Sequence, residues 1–123
     1  MAAKPGVAAE FYSSDERCYI LEMHNCAEDE DCSIARARVS PGVTTELHSL
    51  DGICERYVVL NGEGLLEVCG SAPARVSPMD VVAIPAGASQ RVTNVGQEDL
   101  TFLCICTPRF RKEAYVTLQS PPS

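Results

Sequence analysis

Tryptophan is missing from this chain, histidine occurs only twice, and ten Lys and Arg stand against seventeen Asp and Glu. A free-standing nucleic-acid or anionic-membrane binder needs a cationic footprint, which a net charge of −7 does not supply. Neither nucleic acid nor membrane is therefore expected as a partner. The longest apolar runs are about five residues, too short to span a bilayer. The opening MAAKPGVAAEF carries no apolar stretch of signal-peptide length, so a cytoplasmic protein is expected. No CxxC pair occurs among the seven cysteines, which excludes the usual zinc-finger and zinc-ribbon patterns. Their odd number argues against a fully paired disulfide scaffold. Most read as small buried hydrophobes, although Cys26 and Cys32 flank an acidic turn and could bridge under oxidation.

What the 123 residues do contain is an ordinary globular composition, 46% hydrophobic and 22% charged. That length suits a single domain spanning 1–123, able to bury about two thirds of its unfolded surface. Helical periodicity is nearly absent, and short alternating runs dominate. Strands are expected at about 18–24, 33–39, 44–50, 54–60, 64–69, 80–84, 89–94 and 100–106, with a short one at 74–76. Turn signals such as SPG, LDG and NGEG separate them, and Asn61-Gly62 reads as a hairpin turn. A short C-terminal helix is expected after Pro108, in RFRKEAYVTL, with Phe110 packing on the barrel outside. The ends, 1–9 and 119–123, are expected to fray around a barrel covering about 18–107. Many short strands of this kind make an all-β sandwich or barrel. The lack of Trp speaks against an immunoglobulin-type sandwich.

The middle of the chain decides between them. Residues 41–64 read PGVTTELHSLDGICERYVVLNGEG, which resembles the first signature of the cupin family, G-x5-H-x-H-x(3,4)-E-x6-G. Gly42, His48, Glu55 and Gly62 stand at the signature positions, while Leu50 occupies the second histidine. Residues 79–94, MDVVAIPAGASQRVTN, resemble the second signature, G-x5-P-x-G-x2-H-x3-N. Pro85, Gly87 and Asn94 match it, Met79 replaces the first glycine, and Gln90 replaces the histidine. The resemblance implies a cupin-type jelly-roll β-barrel.

Strand alternation adds its own reading. Thr44, Glu46, His48 and Leu50 share one face, Glu55, Tyr57 and Val59 another, and Gln90, Val92 and Asn94 a third. Lining one barrel, these faces would bring an imidazole, a carboxylate and an amide oxygen together. In cupins with the full set, three histidines and the glutamate hold a metal. Carried over here, the resemblance implies a divalent ion (Zn, Ni, Mn or Fe) on His48 and Glu55, with Gln90 as a weaker third ligand and low occupancy. An empty barrel with hydrogen-bonded polar residues is the competing reading. The two-histidine oxygenase triad is not available from His48 alone. His24 is expected to point outward, opposite an inward trio of Tyr19, Leu21 and Met23. Arg36 and Arg38 read as a solvated strand face paired with acids, or as an anion clamp at a pocket mouth.

Three functions stay open. One is a mononuclear-metal enzyme (isomerase, lyase or dioxygenase-like) acting on a small organic molecule, with Glu46 or Tyr57 moving the proton. The second is a small-ligand-binding or degenerate cupin without turnover. The third is a thiol role for Cys104 and Cys106. A homodimer is expected to cover an edge strand and an apolar sheet face, with the Ala35, Ala37 and Val39 side of strand 33–39 contributing.

Overall fold

A computed structural model describes residues 9–118. Two antiparallel sheets face each other. The first has six strands in the order β1 (Phe11–Ser13), β2 (Cys18–His24), β3 (Ser33–Val39), β10 (Leu100–Thr107), β5 (Cys54–Asn61) and β8 (Val81–Ile84). The second has five, in the order β11 (Tyr115–Thr117), β4 (His48–Leu50), β9 (Gln90–Asn94), β6 (Gly64–Val68) and β7 (Ala74–Val76). Consecutive strands repeatedly change sheet, as β4 to β5 and β5 to β6 do. This is the expected jelly-roll barrel. Among the described residues no helix is long and apolar enough to cross a membrane.

The core follows the alternation. Val39, Val59, Leu66, Val92, Leu100 and Phe102 are almost fully buried between the sheets. A second, smaller cluster of Leu50, Ile53 and Cys106 sits apart from it, with Phe110, Ala114 and Tyr115 packed on top.

Several local expectations are corrected. The segment after Pro108 is not a helix: Lys112–Ala114 make one 3-10 turn, and Tyr115–Thr117 then run as β11 beside β4. Asn61-Gly62 does not close a hairpin, because β5 and β6 belong to different sheets and the turn carries the chain between them. Of the stretch 44–50, only His48–Leu50 is regular strand, while Thr44 makes an isolated bridge to Thr93. On β2, Cys18 and Ile20 face the core, so Tyr19, Leu21 and Met23 point outward. Tyr19 lies under the Arg38 guanidinium, 4.0 Å from ring centroid to carbon. On β3, Ala37 and Val39 belong to the core, which removes that face from any contact between copies. The ends expected to fray lie outside the described residues, apart from residue 9. All seven cysteines, Cys26 and Cys32 included, are free thiols.

Candidate functional site

At one end of the barrel the chain leaves β10 and crosses the opening. Phe110 N–H donates to Ser33 Oγ (2.8 Å), and its carbonyl accepts from Asn25 Nδ2 (2.8 Å). Arg109 and Arg111 both bond the Glu30 carboxylate, at 3.2 and 2.7 Å. This strap roofs a cavity of about 100 Å³. The floor and walls are Glu55 of β5, Cys104 and Cys106 of β10, Ile20 and Glu22 of β2, and Ala35 of β3. Phe110 therefore closes the barrel mouth and does not pack outside it. Outward lies a cleft of about 720 Å³ between the β1–β2 turn and the segment Arg109–Tyr115. The two share Phe11, Glu16, Glu22, Asn25 and Phe110 as common wall.

Glu55 is 7% exposed. It faces inward because it alternates with Tyr57 and Val59 on β5. Cys106, its partner across the ladder, offers a thiol to Oε2 at 3.7 Å, while Oε1 has no hydrogen-bond partner. Burial pushes its carboxyl up to about 7, partly offset by the Gln90 amide. The surrounding thiols are held protonated by burial and by the Glu55 charge, Cys106 at about 12 and Cys104 well above its usual range. A thiolate nucleophile is therefore not at hand near neutral pH.

The other predicted residues do not line this cavity, although the Gln90 amide acts on the Glu55 carboxyl. Gln90 is buried opposite His48 in the β4–β9 ladder, and its Oε1 accepts the hydroxyl of buried Tyr57. Tyr57 in turn packs on Phe102, ring centroids 4.5 Å apart. His48 stacks on Tyr115 at 4.7 Å, and its Nδ1–H donates to the Glu46 carbonyl at 2.9 Å, which leaves Nε2 as the basic nitrogen. Burial holds the imidazole below its usual range, hence neutral at pH 7. The Glu46 carboxylate accepts from Tyr115 Oη (2.8 Å) and Thr117 Oγ1 (3.2 Å). His24 bonds Asp29 at 2.9 Å, beyond a register shift in β2. Arg36 and Arg38 bind Glu10, and Arg38 also binds Asp99, on the outer face of the sheet. Of the predicted set, only Glu55 lines the deep cavity.

A divalent ion needs several converging donors. Among the described residues no three His, Cys, Asp or Glu side chains converge in that way. Gln90 Oε1 is already engaged by Tyr57, and Leu50, at the second histidine position, is sealed in the small apolar cluster. With Gln90 engaged by Tyr57, the three predicted donors are not all free to meet an ion.

The family model for the cupin domain matches residues 35–106. The chain is a cupin. An oxalate-binding protein of Thermotoga maritima is 34% identical over 83 residues, 68% of this cupin and 64% of that protein's length. A crystal structure from the same organism, described as a predicted oxalate decarboxylase, superposes with a TM-score of 0.76 at 23% identity, covering 88% of this chain and 99% of that one. The Streptomyces nucleoside dehydratase Pac13 superposes with a TM-score of 0.76 at 12% identity, covering 91% and 85%. At such identities these structures show the fold alone.

Sequence reasoning missed Glu16, Glu22, Phe11 and Phe110. Glu16 and Phe11 lie in and before the β1–β2 turn, where no motif marks them, and Glu22 sits on the β2 face read as outward. The signal available was the lone carboxylate in CYILEM, two places from Ile20, on a strand whose two faces are equally apolar.

Proposed function

We propose that this cupin binds a small organic molecule in the cavity over Glu55, reached through the cleft beside Phe11 and Phe110. One observation carries the reading: a buried carboxylate with a free oxygen lines a cavity beneath a tethered strap. Buried polar atoms are normally satisfied, and a ligand group supplies what the chain leaves out. Binding without turnover is favoured over catalysis. The proton-transfer candidates are engaged in the fold, Tyr57 by Gln90 and Glu46 by Tyr115 and Thr117. The test is a heteronuclear NMR screen with small fragments of mixed charge, on wild type and Ala35→Leu. Shifts confined to the cavity wall and abolished in Ala35→Leu are expected. A screen in which no fragment moves these signals overturns the reading.

A second reading keeps the ion, because Glu55 Oε1 and His48 Nε2 both stay available. There His48 and Glu55 would hold a weakly bound Zn²⁺, Ni²⁺, Mn²⁺ or Fe²⁺, Gln90 would join by releasing Tyr57, and Glu46 or Tyr57 would move protons. Uptake on soaking, lost in His48→Ala, supports it, and equal uptake by both proteins removes it. We propose further that the protein is a homodimer and, given its free thiols, cytoplasmic.

A further inference from the structure

The cavity over Glu55 has an unbalanced wall. Glu16, Glu22 and Glu55 all line it, and no Arg, Lys or His among the described residues does. Cations stand in the outer cleft, where Arg109 and Arg111 already share Glu30. Even that cleft sets Asp15, Glu16, Glu22 and Glu113 against them and Lys112. Glu16 is further crowded by the like charges of Glu46 and Asp15. An acidic wall alone is not a binding site. Here it includes Glu55, 7% exposed and with Oε1 unpartnered, at the floor of the cavity. Apart from Asn25 and Ser33 the remaining wall is apolar, with Phe11, Ile20 and Phe110 prominent.

Resting on the small-molecule reading above, we infer that the ligand is a small organic cation, an ammonium paired with Glu55 inside a wall that Glu16 and Glu22 make acidic, with its carbon chain against Phe11, Ile20 and Phe110. A dicarboxylate such as oxalate would meet three carboxylates with no cation on the wall and only neutral groups, Asn25, Ser33 and the two thiols, to face it, and like charges in a low-dielectric space repel strongly. An ammonium reverses that sign, supplies a donor where Glu55 Oε1 has none, and meets aromatic faces that attract cations. The chain's net charge of −7 draws cations toward the mouth and repels anions.

The test uses four probes on the full chain: n-butylammonium, 1-butanol, butyrate and oxalate, by calorimetry at pH 8 and low salt, with NMR to locate binding. Expected is butylammonium binding at least tenfold tighter than 1-butanol, with butyrate and oxalate showing none. Glu55→Gln should cost the cation tenfold or more and leave 1-butanol unchanged. Glu22→Gln, at an exposed position on β2, should act in the same direction by several-fold. Butyrate or oxalate binding in the cavity as tightly as butylammonium overturns the charge assignment and leaves the small-molecule reading standing. Silence from all four probes, with no hit in the fragment screen, overturns both.

Discussion

Glu55 and His48 are both buried, and burial moves their titrations in opposite directions. The Glu55 carboxyl is raised to about 7 from an unfolded value of 4.5, so the folded state holds a proton that the unfolded state gives up in that window. Stability from this group is greatest below pH 4.5 and is lost as pH rises through about 7. His48, lowered, does the reverse: its neutral form is kept at no cost above the unfolded value of 6.5, and stability falls on acidification below it. Glu55→Gln should therefore be more stable than wild type at pH 8, by up to about 3 kcal/mol. The gain should shrink as pH falls and vanish only below the unfolded value of 4.5, leaving only the acid-side loss from His48. Thermal denaturation of both proteins from about pH 4 to 9 reads this, and parallel curves would refute it. Glu55 was legible in the sequence because the spacing from His48 to Gly62 marks it. Its surroundings were not, because Glu22 depends on which face of β2 turns inward. Tyr19, Leu21 and Met23 rival Cys18 and Ile20 in hydrophobicity, so no binary pattern sets the register. The outer choice is fixed by distant groups, Arg38 over Tyr19 and Tyr12 against its edge.

Among the elements, the turn between β5 and β6 shows what a signature glycine does. Gly62 has φ +89°, and a Cβ there would lie 2.6 Å from the Asp99 carbonyl oxygen. Asn61 Nδ2 donates to that same oxygen, tying the corner to the start of β10. Gly52 also has a positive φ, +71°, but open space around it. Gly62→Ala should then cost about 2–4 kcal/mol, strain plus overpacking, and Gly52→Ala only about 1–2 kcal/mol of left-handed strain. Urea denaturation measures both, and equal costs would show that the Asp99 approach is not what requires glycine. The sequence announced a sharp turn at Asn61-Gly62 but not its partners, since sheet exchange is a long-range property. The strand β11 was hidden for a related reason. Phe110, Ala114, Tyr115 and Leu118 fall near helical spacing, yet Tyr115 is held by His48, Glu46 and the Leu50 cluster, and Tyr-Val-Thr suits an extended chain. Asn94, by contrast, was marked by the second signature, and its amide bonds the carbonyls of Val39 and Glu98 while its oxygen takes Gly96 N–H.

For the whole molecule, charge and apolar surface pull against each other. The outer face of the six-stranded sheet carries Leu21 on β2, Leu103 on β10, Val58 on β5 and Val81 on β8. Register sets Leu21 opposite Arg36, Arg36 opposite Leu103, Leu103 opposite Val58, and Val58 opposite Val81. Val81 is 63% exposed and Met79, just before it, 85%, and β8 is an open edge. Exposed apolar sheet beside a free edge is the kind of surface that the proposed second copy would cover. Two chains of −7 each repel, so the dimer should strengthen with salt, as screening weakens that repulsion and leaves apolar burial intact. Light scattering at tens of micromolar should give the mass of two chains. Leu103→Lys, placing a charge at the middle of this row, should give one chain without loss of the folded far-ultraviolet spectrum. The inward Ala35→Leu should leave the dimer unchanged, since that face lines the cavity. A wild-type monomer at this concentration in both low and high salt would show that the sheet face is simply tolerated in water. A dimer that survives Leu103→Lys would move the contact to another surface, with the edge of β8 the next to test.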